Sequence, residues 1–108
     1  MAERLRRNLD ILRVVCKGSP ALRRAIIKEA DDDTIKCFCE CGYNILNGNV
    51  PVNPKQKKEL KKHKYQLRRL ADINKPLVEK RKLLVQKGAG LPVALLLPII
   101  AIASALLQ

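Results

Sequence analysis

Thirteen lysines and arginines stand between residues 54 and 87 against three acids, a net charge of +10 in 34 positions. A stretch with that balance cannot turn inward, because buried cations without partners are too costly to desolvate. The chain must build its core elsewhere and dock this stretch through a narrow apolar stripe at most. Residues 1–53 carry nine cations and seven acids, net +2, a balance compatible with folding. Residues 88–108 carry no charged side chain. The expected organisation is therefore a helical head over 1–53, a basic helical segment over 54–87 and an apolar C-terminal tail over 88–108.

With 108 residues the chain is one small domain plus tails. A core of that size leaves little room for a deep substrate cleft. The formal net charge of +12 makes a polyanion the natural partner, either nucleic acid or an anionic membrane. Only Phe38, Tyr43 and Tyr65 are aromatic, so base-stacking platforms for single strands are not expected. Met1-Ala2-Glu3-Arg4 leads into charged residues with no apolar run, so no signal peptide is expected. The four cysteines, Cys16, Cys37, Cys39 and Cys41, are accordingly expected as thiols in a reducing compartment.

Helical periodicity runs through the head. Leu5, Leu9, Leu12 and Cys16 form one face of a helix over Glu3 to Cys16, which Gly18 stops. Ser19-Pro20 supplies an N-cap and a first-turn proline for a second helix, Pro20 to Ala30, with Leu22, Ala25, Ile26 and Glu29-Ala30 along one side. Asp31-Asp32-Asp33 ends that helix and caps a third, Thr34 to Leu46, which buries Ile35, Phe38, Gly42 and Ile45 and stops at Asn47-Gly48. Asn53-Pro54 repeats the cap-plus-proline start. The pattern predicts a long fourth helix to about Asp72, with Leu60, Lys64, Leu67 and Leu70-Ala71 as its stripe and Lys64 lending its methylene stem. Pro76 separates a shorter basic segment, Leu77 to Gln86. The expected fold class is all-α: a small bundle of three short helices plus one long basic helix, followed by the apolar tail.

Cys37-x-Cys39-x-Cys41 invites a metal reading, but zinc sites use thiolates that converge from turns. On a helix Cys37 and Cys41 share a face and Cys39 points roughly the opposite way, so small buried thiols are expected and no metal. The three aspartates lack the spacing and the glycine of a calcium loop, and capping explains them better. His63, the only histidine, lies among lysines, and neither a nucleophile-base arrangement nor a phosphate loop can be assembled. A non-enzyme without cofactor is expected.

The basic segment is the stronger signal. Lysine and arginine side chains that neutralise duplex phosphates release condensed counterions, which supplies affinity without sequence reading. The expected contacts are Lys55, Lys57, Lys58, Lys61, Lys62, Lys64, Arg68, Arg69, Lys80, Arg81 and Lys82, and the expected partner is duplex DNA. Leu91 to Leu107 is 17 residues with only Ser104 polar, about 26 Å as a helix, and Pro98 would kink it. The alternative is therefore a tail-anchored or membrane-active protein of an intracellular membrane, with the basic helix lying on anionic lipid.

The run from Gly88-Ala89-Gly90-Leu91-Pro92 through Leu97-Pro98-Ile99-Ile100 to Leu106-Leu107-Gln108, straight after a basic block, resembles the C-terminal end of the adenovirus core protein X (mu) precursor. That family joins a DNA-condensing basic part, a glycine-rich joint, and leucine-proline runs. The whole chain is also similar to small basic proteins of Polinton (Maverick) elements and adintoviruses. That likeness rests on Arg7-Asn8-Leu9, on Asn47-Gly48-Asn49-Val50-Pro51 and on Lys82-Leu83-Leu84-Val85-Gln86-Lys87-Gly88. The adenovirus protein differs in having an arginine-rich cationic part and no helical head. The resemblance implies a viral, virion-associated core protein found in the virion and host nucleus. Its head would form a homo-oligomer or dock on another virion protein, and its tail would meet the capsid protein or a membrane. Gln86-Lys87-Gly88-Ala89-Gly90 is also similar to the cleavage pattern of adenovirus-type proteases, which implies Gln86, Gly88, Ala89 and Gly90 as a processing site.

Overall fold

The computed structural model describes residues 2–85, the side chains of Ala2 and Cys16 aside. These residues form six helices and no strand: α1 (Ala2–Lys17), α2 (Pro20–Glu29), α3 (Asp32–Leu46), α4 (Pro54–Lys62), α5 (Lys64–Ala71) and α6 (Leu77–Val85). The all-helical class is as expected. The starts of three helices follow local chemistry already visible in the sequence. Ser19 Oγ accepts from the Leu22 N–H at 3.2 Å, and Asp31 Oδ1 accepts from the Thr34 N–H at 2.8 Å. Asn53 and Gln56 cap each other reciprocally, at 2.8 and 2.9 Å. At the other end of α3, Gly48 has φ of +70°, a conformation that glycine adopts without a Cβ penalty.

α3 is the centre. It packs against α1, α5 and α6, while α2 is held between α1 and α6. A helix surrounded in this way keeps only a narrow solvent stripe, through Lys36, the half-buried Glu40 and Tyr43. Cys37, Phe38, Cys39, Cys41, Gly42 and Ile45, on the remaining sides, are all buried. Cys39, expected on the side away from Cys37 and Cys41, is therefore buried as well. The cause is that α6 closes over the side that a single amphipathic stripe would leave in water.

Two further expectations are corrected. In α2 the fully buried residue is Ile27, whereas Leu22 is 46% exposed and Ala25 lies at the surface, so the inward face is rotated by about one residue. The span from Asn53 to Asp72 is not one helix. It is interrupted at His63, whose φ of −111° and ψ of 19° end α4 and begin α5. Residues 55–64 include six lysines, and like charges at i,i+4 weaken a helix that tertiary packing does not support. α4 has no buried residue, whereas α5 buries Leu67 and Leu70, so packing holds only the second half.

The core is continuous across the charge boundary at residue 53. It joins Leu5, Leu9, Leu12 and Val15 of α1 to Ile27, to the inner residues of α3, and to Val50, Leu67, Leu70, Leu83 and Leu84. The step in charge between head and basic segment is thus not a gap in packing. The end of the Leu77 to Gln86 helix, the processing site and the tail over 88–108 lie outside the described residues.

α5 approaches α3 closely at Gly42, where a Cβ would come within 2.9 Å of Leu70 Cδ2. Leu70 is fully buried, so its side chain could yield only by shifting against packed neighbours. Gly42→Ala gains about 1 kcal/mol of helix propensity but overpacks this contact at a cost of about 1–3 kcal/mol. Leu70→Ala alone should cost about 2–5 kcal/mol. The expected outcome in urea melts is that both single variants are destabilised and the double variant is more stable than their sum predicts. Strict additivity would show that the two residues do not share the contact.

Candidate nucleic-acid interface

The cations of this protein are sorted by whether an acid lies near them. In the head, Asp33 in the first turn of α3 is held by three side chains of α1. Arg4 Nε donates to Oδ1 at 3.0 Å, Arg7 Nη2 to Oδ1 at 3.1 Å and Arg7 Nε to Oδ2 at 3.3 Å. Asn8 Nδ2 donates to Oδ2 at 2.9 Å. Arg4 also pairs with Glu40, and Thr34 Oγ1 donates to the buried Asn8 side chain at 2.6 Å. The Arg7 hydrogen bonds, with those of Asn8 and Arg4, hold the Asp33 carboxyl well below the usual carboxylate range. Sequence reading assigned all three aspartates to capping. Only Asp31 caps, and Asp33 instead joins α1 to α3.

Two of the expected phosphate contacts are likewise committed inward. Arg81 Nη1 donates to the carbonyls of Ile27 at 2.8 Å and Ala30 at 2.6 Å, and Nη2 pairs with Asp32 at 3.3 Å. It therefore satisfies carbonyls left over at the C-terminus of α2, a favourable place for a cation. Lys80 is only 7% exposed, its stem packed where α6 meets α3. Neither is presented to a ligand as the flat basic run suggested. The general signal for this was present: Lys80 and Arg81 precede the apolar pair Leu83-Leu84. Their partners, however, lie about 50 residues away in the chain.

The remaining nine are exposed: Lys55, Lys57, Lys58, Lys61 and Lys62 on α4, Lys64, Arg68 and Arg69 on α5, and Lys82 on α6. Helical spacing places the α4 lysines on two adjacent stripes, Lys55-Lys58-Lys62 and Lys57-Lys61. Lys64, expected to lend its stem to the apolar stripe, is exposed past the break at His63 and lines a groove with Lys57, Lys61, Leu60 and Leu67. Among these nine, one ion pair is formed, Lys62 with Glu59 at 3.1 Å. Arg69 lies over the exposed ring of Tyr65, 5.8 Å from its centroid. Such a surface can neutralise a regular array of phosphates. It offers little for reading bases, because lysines act as point charges.

Among the described side chains, Cys37, Cys39 and Cys41 present no reactive centre at this surface. Burial pushes the Cys39 thiol up to about 11, and Cys37 and Cys41 are fully buried. Among the described residues there is no group of three or more potential metal ligands. No helix among them is long and apolar enough to cross a membrane. No family model, no curated protein and no solved structure matches the chain.

The Asp33 arrangement sets a pH dependence. Its folded carboxyl ionises more readily than an unfolded aspartate, so its stabilising effect is present above about pH 4 and is lost as pH falls through the depressed folded value. Asp33→Asn should melt at a lower temperature at pH 7 and lose less on acidification than the wild type. Equal acid sensitivity in the two proteins would place the acid-labile contact elsewhere.

Proposed function

We propose that this protein is a non-enzymatic binder of duplex DNA that neutralises the phosphate backbone without reading sequence. The observation that carries the reading is the sorting of charge: head acids engage Arg4, Arg7 and Arg81, while the cations of α4 and α5 stand exposed with a single ion pair among them. That many like charges held on one surface repel each other unless a polyanion relieves them. The contact set is Lys55, Lys57, Lys58, Lys61, Lys62, Lys64, Arg68 and Arg69, with Lys82 at the edge. In the wider proposal, which rests on the resemblance to adenovirus and Polinton proteins, the protein packages DNA in a virion. The head meets a second copy or a capsid protein, and the tail is released by cleavage between Ala89 and Gly90.

Counterion release fixes the test. Engagement of about six to eight phosphates gives a log–log salt slope of about −5 to −7. Lys58→Gln/Lys62→Gln should bring the slope about two units closer to zero and weaken all duplex sequences alike. A slope near zero, or strong preference for one sequence, would overturn the reading. For the processing step, Gly88→Val should block release of the tail in particles and leave duplex affinity unchanged. Mass spectrometry of mature particles reads this directly, and a chain still ending at Gln108 refutes cleavage.

A further inference from the structure

A groove of about 380 Å³ lies between the C-terminal end of α3, the loop after it and the α4–α5 pair. Its floor is apolar and includes the half-buried Leu46, Val52 and Leu60. One wall carries Lys57, Lys61 and Lys64, and among the described residues no acid lines the groove. Lys57 and Lys61 lie one turn apart on α4, about 6 Å along its axis, and Lys64 follows just past the break at His63. Cations beside an apolar trough define the occupant more narrowly than either feature alone.

We infer that this groove receives an acidic amphipathic helix of a partner protein. Such a helix presents apolar anchors at i, i+3 or i+4, and i+7, which match a trough of this kind, with carboxylates along its flank. The lysine wall meets several carboxylates at once, whereas a fatty acid has one head group and would engage a single lysine. A nucleic-acid backbone would meet the lysines and leave the leucine and valine floor in water. The inference extends the surface used for DNA, because Lys57, Lys61 and Lys64 belong to both. An acidic helix seated here therefore competes with duplex for one of the two lysine stripes.

The probe is a synthetic helical peptide of about 15 residues with leucines at i, i+3 and i+7 and glutamates beside them. Binding is measured on the full chain by fluorescence anisotropy and by amide chemical shifts. Leu46, Val52 and Leu60 should shift on titration. Lys57→Glu/Lys61→Glu/Lys64→Glu should weaken the peptide at least about tenfold, and far more than Lys55→Glu/Lys58→Glu/Lys62→Glu, which makes the same charge change on the other stripe. Replacing the peptide leucines by serine, or Val52→Ser in the protein, which adds no charge, should also cost at least about tenfold while duplex affinity stays unchanged. Circular dichroism identifies any variant that fails to fold, and the leucine-to-serine peptide tests the floor with no change to the protein. Equal effects of the two lysine triples, equal binding of the serine peptide, or no binding overturns the inference. Shifts at Leu46 and Val52 produced by oleate and not by the peptide overturn it in favour of a lipid. Failure of these tests leaves the salt-dependent duplex binding standing, and loss of duplex binding with intact peptide binding leaves the groove standing.

Discussion

Leu67 and Leu70 pressed against α3 at Gly42 hold the α4–α5 part of the basic segment to the body of the protein. α5 has few other apolar groups, and α4 buries no residue at all. A stripe this narrow is enough because the far side of α5 never needs to be covered, and because Gly42 lets the two helices approach closely. The same narrowness keeps the lysines out. A wider apolar face would pull Lys57, Lys61 or Lys64 toward the core, where each ammonium would lose its water without gaining an acid.

Several acids of the head have partners among arginines. Asp33 and Glu40 accept from Arg4, Asp33 also from Arg7, and Asp32 pairs with Arg81. Arginine suits these positions because its planar fork can satisfy several acceptors at once, as Arg81 does at the end of α2. Lysine, more strongly hydrated, dominates α4. Arg4, Arg7 and Arg81 make internal bridges, whereas the α4 lysines stay in water, where a polyanion or an acidic helix can reach them.

His63 sits between two segments with different obligations. On one side α4 is solvated and self-repelling; on the other α5 is docked. The groove lined by Lys57, Lys61 and Lys64 spans that junction. The Nδ1 atom of His63 is buried there without a hydrogen-bond partner, a further sign that the helix is not continued smoothly through this point.

Local chemistry was legible in the sequence. Ser19-Pro20, Asp31 and Asn53-Pro54 mark helix starts because their side-chain oxygens satisfy amides only three residues away, and no distant residue is needed. The leucine face of α1 and the inner residues Ile35, Phe38, Gly42 and Ile45 of α3 follow from period alone. Exposure of the α4 lysines was equally readable, since nothing nearby could neutralise them. What the tertiary structure decided is everything that requires two remote segments to meet. α3 is buried on the side of Cys39 because α6 folds over it. Asp33 binds α1 instead of capping, Arg81 closes the end of α2, Lys80 is enclosed and the inward phase of α2 rests on Ile27. The break at His63 belongs with these, since only docking against α3 distinguishes the half of that helix that is held from the half that is not. Hydrophobic period and capping act over a turn or two of chain, whereas an ion pair or a covered face depends on which elements become neighbours.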